Sequence, residues 1–166
     1  MLATRTLLFL AMAGVSGAAL AANQPDAPAP AVFVAKAAQD GMTEVELGKV
    51  ALDKSKDAKV REFAQRMVTD HGKANRELAS IARQKGIEAP KALDTEHQDM
   101  VKKLKSQDGE AFDLEYSRHM NMDHDKAIDL FEATTQSADP DLAGFAKKTL
   151  PTLKEHKQMA SKLPGQ

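Results

Sequence analysis

Met67, Asp70, His71, Lys73 and Ala74 recur, with the same spacing and order, as Met120, Asp123, His124, Lys126 and Ala127. A third acid-histidine pair, Glu155-His156, stands near the C-terminus. Imidazole titrates near neutral pH and is the commonest transition-metal ligand, so three histidines brought to one point have two uses. In the first, the reading the sequence favours, they form a hydrogen-bonded polar layer inside a helical core, with Tyr116, Thr149 or a carboxylate as partners. In the second, His71, His124 and His156, joined by Glu44, hold a metal ion. Nitrogen donors with one carboxylate suit zinc, copper, nickel or iron rather than magnesium or calcium, which take oxygen ligands. Met67 and Met120 sit one turn before His71 and His124, a copper-like juxtaposition, but methionine filling a core is the simpler reading.

Other chemistries lack their signatures. The chain has no cysteine, and it carries no G-x-S-x-G elbow, phosphate-cradling glycine loop or H-E-x-x-H pair. A di-iron centre built from Glu-x-x-His is also missing, because Val68, Asn121 and Leu153 occupy the positions three before the histidines. The expectation is a protein that is not an enzyme. A net charge of −1 argues against nucleic acid as a partner.

The composition is that of helices: rich in Ala, Leu, Lys, Glu, Gln and Met, with a single Tyr and no Trp. Four long helices are expected. The first covers about residues 31–54, with Val34, Ala38, Gly41, Val45, Gly48 and Leu52 on its seam and Glu44 at the edge. The second begins after Ser55 as N-cap and ends at Gly86; its seam of Val60, Ala64, Met67, His71, Ala74, Leu78 and Ile81 leaves Asp70 rotated about 100° away. The third spans about 110–136, with Phe112, Tyr116, Met120, His124, Ala127 and Phe131 inward. The fourth is capped by Asp139-Pro140 and carries Leu142, Ala146, Leu153, His156, Ala160 and Leu163, with Pro151 inside it. The long 86–110 connection holds a short extra helix near 95–105 and is long enough to make the second and third helices parallel. His97, in this connection, reads as surface. All three repeated histidines fall on inward stripes, which places them in the interior of an all-α four-helix bundle.

The N-terminus has Arg5 ahead of an apolar run over 7–20 that closes on Ala19-Leu20-Ala21. That pattern predicts a signal peptide over 1–21, cleaved after Ala21, and the run is too short to span a bilayer comfortably. Residues 22–30 carry three prolines and predict a flexible leader; 31–163 form the bundle domain. No stable transmembrane span remains after cleavage, and the expected location is the periplasm or outer envelope. Without cysteine, an exported domain depends on its core for stability.

The Gly41-Met-Thr-Glu-Val-Glu-Leu-Gly48 run, Phe63-Ala-Gln-Arg-Met-Val-Thr-Asp-His71, Phe112-Asp113 with Tyr116, Asp123-His124, and Leu150-Pro151 followed by His156 together resemble the bacterial exported family called domain of unknown function 4142. The resemblance covers nearly all of 31–163. It implies a ferritin-like four-helix bundle in the envelope with no established activity, and carries over Glu44, Asp70, His71, Asp123, His124 and His156 as characteristic polar positions. The expected function is a non-enzymatic envelope protein, structural, stress-related or partner-binding, with a protein partner or homo-oligomer open. The alternative is a metal-binding ferritin-like protein using His71, His124, His156 and Glu44, with a transition metal ion as its cofactor.

Overall fold

Local capping chemistry sets most helix boundaries in the computed structural model, which describes residues 26–166. The expected signal peptide, its cleavage point and the first part of the leader lie outside the described residues. Helix α1 (Pro30–Lys54) opens on a proline, whose missing N–H costs nothing in a first turn. The next rod is uninterrupted: α2 (Ala58–Arg66), a π-helical turn (Met67–His71) and α3 (Gly72–Gln84). Its N-cap is Asp57, whose Oδ1 accepts from the backbone N–H groups of Lys59 and Val60 at 2.8 and 3.0 Å. This corrects the expectation for Ser55, which is buried at the end of α1 instead. At the other end Gly86 takes a φ of +67°, and the Ile87 N–H reaches back to the Ala82 carbonyl at 2.9 Å, closing the helix as a left-handed glycine cap does.

Helix α4 (Thr95–Lys105) is the expected short helix of the connection; α5 (Gly109–Thr134) and α6 (Pro140–Ala160) complete the all-helical fold, and no strand occurs among the described residues. Asp139 caps α6 through the N–H groups of Asp141 and Leu142, with Pro140 in the first turn as the sequence predicts. No helix among the described residues is long and apolar enough to cross a membrane.

Two apolar clusters fix the directions of the rods. One joins Phe33 and Val34 at the start of α1, Leu78 and Ala82 at the end of α3, Phe131 late in α5 and Leu142 early in α6. The other joins Leu47 and Ala51 late in α1, Val60 and Phe63 in α2, Phe112 and Tyr116 early in α5, and Ala160 in α6. The α2–α3 rod and α5 therefore run parallel, opposite to α1 and α6. The connection makes this possible: Ile87 packs on the first cluster and Leu93 and Met100 on the second, so it travels the length of the molecule along α1. His97, expected at the surface, therefore keeps only part of its exposure. It is half-buried, with Nδ1 2.7 Å from Asp94 and Nε2 3.4 Å from Asp40 of α1.

Gly48 lets α1 approach α2 and the π turn closely. A Cβ there would stand 3.0 Å from the Ala64 carbonyl oxygen and 3.3 Å from the Met67 Cβ. Gly48→Val should therefore force the helices apart and cost about 1–3 kcal/mol, read as a lower urea midpoint with an unchanged slope.

Candidate metal centre

Between the two apolar clusters lies a polar level. The repeated histidines meet there: His71 ends the π turn, His124 sits at mid-length of α5, and His156 lies one turn from the end of α6. All three are buried. Their ring centroids form a nearly equilateral triangle with sides of 5.6 Å (His71–His124), 5.2 Å (His71–His156) and 5.4 Å (His124–His156). Phe63 stacks edgewise on His124 and His156 at 6.0 and 6.3 Å, closing one side with an apolar wall. Met67 and Met120 lie wholly buried in the cluster with Phe63, Phe112 and Tyr116, as core residues do.

Each imidazole is oriented from behind. His124 Nδ1 lies 2.8 Å from the Met120 carbonyl oxygen. A carbonyl only accepts, so Nδ1 carries the proton and Nε2 of the neutral ring is a bare lone pair. Nε2–H of His156 donates to the Asp70 carboxylate at 3.0 Å, which leaves its Nδ1 bare. His71 Nδ1 is 2.7 Å from Glu44 Oε2, while Glu44 Oε1 lies 3.4 Å from His124 Nδ1. The remaining nitrogens, His71 Nε2, His124 Nε2 and His156 Nδ1, are buried without a hydrogen-bond partner among the described residues. One ligand nitrogen from each ring lies within 4.8 Å of the others.

That arrangement offers a metal ion both candidate ligands and partners that orient them. Histidine ligands characteristically donate their second nitrogen to a carboxylate or a backbone carbonyl, which fixes the tautomer and the ring plane. Tetrahedral zinc at about 2.0–2.1 Å from nitrogen holds its ligands roughly 3.4 Å apart, so small side-chain rotations would close the triangle onto an ion. Glu44 stands outside the histidine group and touches the Nδ1 side of two rings. Asp70, expected to point to a flank, does so, but that flank faces α6 and its carboxylate meets His156. Asp123 stays close enough to add negative potential at Glu44, Asp40 and His71.

The polar-layer alternative is met in part: His71 and His156 bond the carboxylates of Glu44 and Asp70, and one nitrogen of each histidine is left without a partner among the described residues. Tyr116 Oη and Glu44 Oε1 are also buried without a partner among the described residues. Thr149 lines a cavity of about 20 Å³ with Asp40, Glu44, Asn75 and His71, room for about one water. A partly satisfied buried network costs more than an apolar one, so a layer of this kind is a poor stabilising device by itself.

Burial dominates the electrostatics. It lowers His71 and His156 from an ordinary 6.5 to about 4, and lowers His124 in the same sense. It raises Glu44 from 4.5 to about 8 and Asp40 from 3.8 to about 6, with Asp123 adding to both. The three imidazoles lose stability as pH falls from about 6.5 toward 4, because the unfolded chain takes up protons that the folded one refuses. The two carboxyls act oppositely: each keeps a proton in the fold that the unfolded chain has released, so their contribution fades as pH rises toward 6 for Asp40 and 8 for Glu44. Three groups outweigh two below pH 6.5, and Glu44 alone remains above it. The metal-free protein should melt highest at about pH 6–7 and lower on both sides, measured in chelator from pH 4 to 9.

Residues 15–163 match the family model described as "Domain of unknown function (DUF4142)". Among solved structures the chain is similar to the crystal structure of a DUF305 fragment from Deinococcus radiodurans, with a TM-score of 0.69 and 18% identity over 82% of this chain and 96% of that one. At that identity the likeness concerns the fold. No curated protein matches the chain.

Proposed function

We propose that this chain, which belongs to the DUF4142 family, is a metal-binding protein of the cell envelope that holds one transition-metal ion on His71, His124 and His156. The observation that carries the reading is three buried rings with one ligand nitrogen of each within 4.8 Å of the others, each ring held from behind by Glu44, Met120 or Asp70 and each left with one unpartnered nitrogen. Three neutral imidazoles suit zinc, copper, nickel or iron. Glu44 and Asp70 act as orienting acceptors rather than ligands; Glu44, protonated in the metal-free fold, releases its proton to solvent when the ion binds, and its carboxylate then offsets the ion's charge. The parallel middle rods and the single long connection support a ferritin-like bundle.

The role is binding rather than turnover. The cavity beside His71 admits about one water, too little for an organic substrate. Export is supported by the apolar N-terminal run and its Ala-Leu-Ala end. The test is metal analysis of untagged protein purified from the periplasm. Near-stoichiometric metal that disappears in the His71→Ala, His124→Ala, His156→Ala triple variant supports the reading. Metal-free protein that also takes up no zinc, copper, nickel or iron when these are supplied returns the function to a structural or partner-binding role.

A further inference from the structure

The three histidines are buried, His71 keeping 7% of its surface exposed, so an ion needs a way in; the following rests on the metal-binding reading. A surface groove runs between the α2–α3 rod and α6, floored by Asp70, Ala74 and Thr149. Ala74 and Thr149 also line the internal cavity beside Glu44 and His71, so they form the wall between groove and cavity. Asp70 spans the same wall: its side chain is 34% exposed while its Oδ2 bonds the His156 ring. Two ion pairs strap the rods across this groove, Arg66–Glu155 at 3.3 Å and Glu77–Lys148 at 2.7 Å. On the opposite side of the cavity the way is closed more firmly, since the Asn75 side chain is seated directly on Gly41 of α1.

We infer that the α3–α6 groove is the passage by which a divalent transition-metal ion reaches and leaves the histidines, with Asp70 as the groove carboxylate that touches a ligand ring and the Ala74–Thr149 wall as the constriction. A carboxylate that already touches a ligand ring can take a partly hydrated cation from solvent and pass it inward. The straps limit how readily the rods separate. They are exposed pairs of the kind that contributes little to stability, so cutting one changes access more than folding.

Zn²⁺ is the probe. Association is followed by stopped flow, and release by transfer to a chromophoric chelator, on the full exported domain. Ala74→Leu narrows the constriction and should slow both rates by about tenfold while leaving Kd nearly unchanged, as expected of a barrier rather than a ligand. Glu77→Ala removes one strap and should speed both rates severalfold, again at constant Kd; it decides the matter even where Ala74→Leu folds poorly. Wild-type rates in both variants, or acceleration by Asn75→Ala alone, overturn this passage while leaving the metal site intact. A wild-type protein that binds no Zn²⁺ contradicts the metal-binding reading itself.

Discussion

Saturating Zn²⁺ should raise the thermal midpoint of the metal-free protein by on the order of 10 °C, and each of His71→Ala, His124→Ala and His156→Ala should abolish most of that rise. An ion that binds only the folded state stabilises it by about 4 kcal/mol at a thousandfold excess over Kd. A domain of this size gains roughly 2–4 °C per kcal/mol. The three histidines come from three different rods, so an ion bound by them would tie the π turn to α5 and α6 at one level. Calcium at the same concentration should leave the midpoint in place, because the donors are imidazoles. Differential scanning calorimetry on chelated and reloaded protein checks both halves.

Glu44→Ala should weaken Zn²⁺ binding by about 10–100-fold, the usual cost of losing a carboxylate behind a histidine ligand. Glu44 is buried on α1 with Oε2 against the His71 Nδ1, so its loss frees the His71 ring to choose another tautomer and plane. Glu44→Gln is the informative companion. Its amide oxygen can still accept from Nδ1 but carries no charge, so it should retain most of the orientation and lose only the electrostatic share. Isothermal titration of the two variants separates these parts. An affinity equal to wild type in Glu44→Ala would show that His71 is held by packing alone.

Much of this site was legible because a histidine in the middle of an apolar stripe is conspicuous: His71, His124 and His156 each interrupt a run of core residues at helical spacing. The partners were harder to see, because they depend on neighbouring helices. Asp70 lies off its own helix's stripe, and nothing in its local sequence reveals that this flank is covered by α6. Glu44 was placed at the edge of a single narrow seam. In the fold α1 is flanked by the α2–α3 rod, α4 and α5, so it buries a wider arc that includes Phe33, Ala37, Leu47 and Val50 and leaves Val45 and Leu52 only half-buried. His97 is more covered than its sequence context suggests for a related reason, since the connection lies along α1. The π turn left no sequence signal, although such turns gather at functional sites and this one ends on His71.

The central claim is that three buried nitrogens form one metal site. Equilibrium dialysis of the metal-free protein against Zn²⁺ at neutral pH, in parallel with the three single His→Ala variants, tests it most directly. One tight equivalent is expected for the wild type, with loss of that equivalent in every variant. Retention of the full equivalent in any one of the three variants, or no bound Zn²⁺ in the wild type, would contradict it.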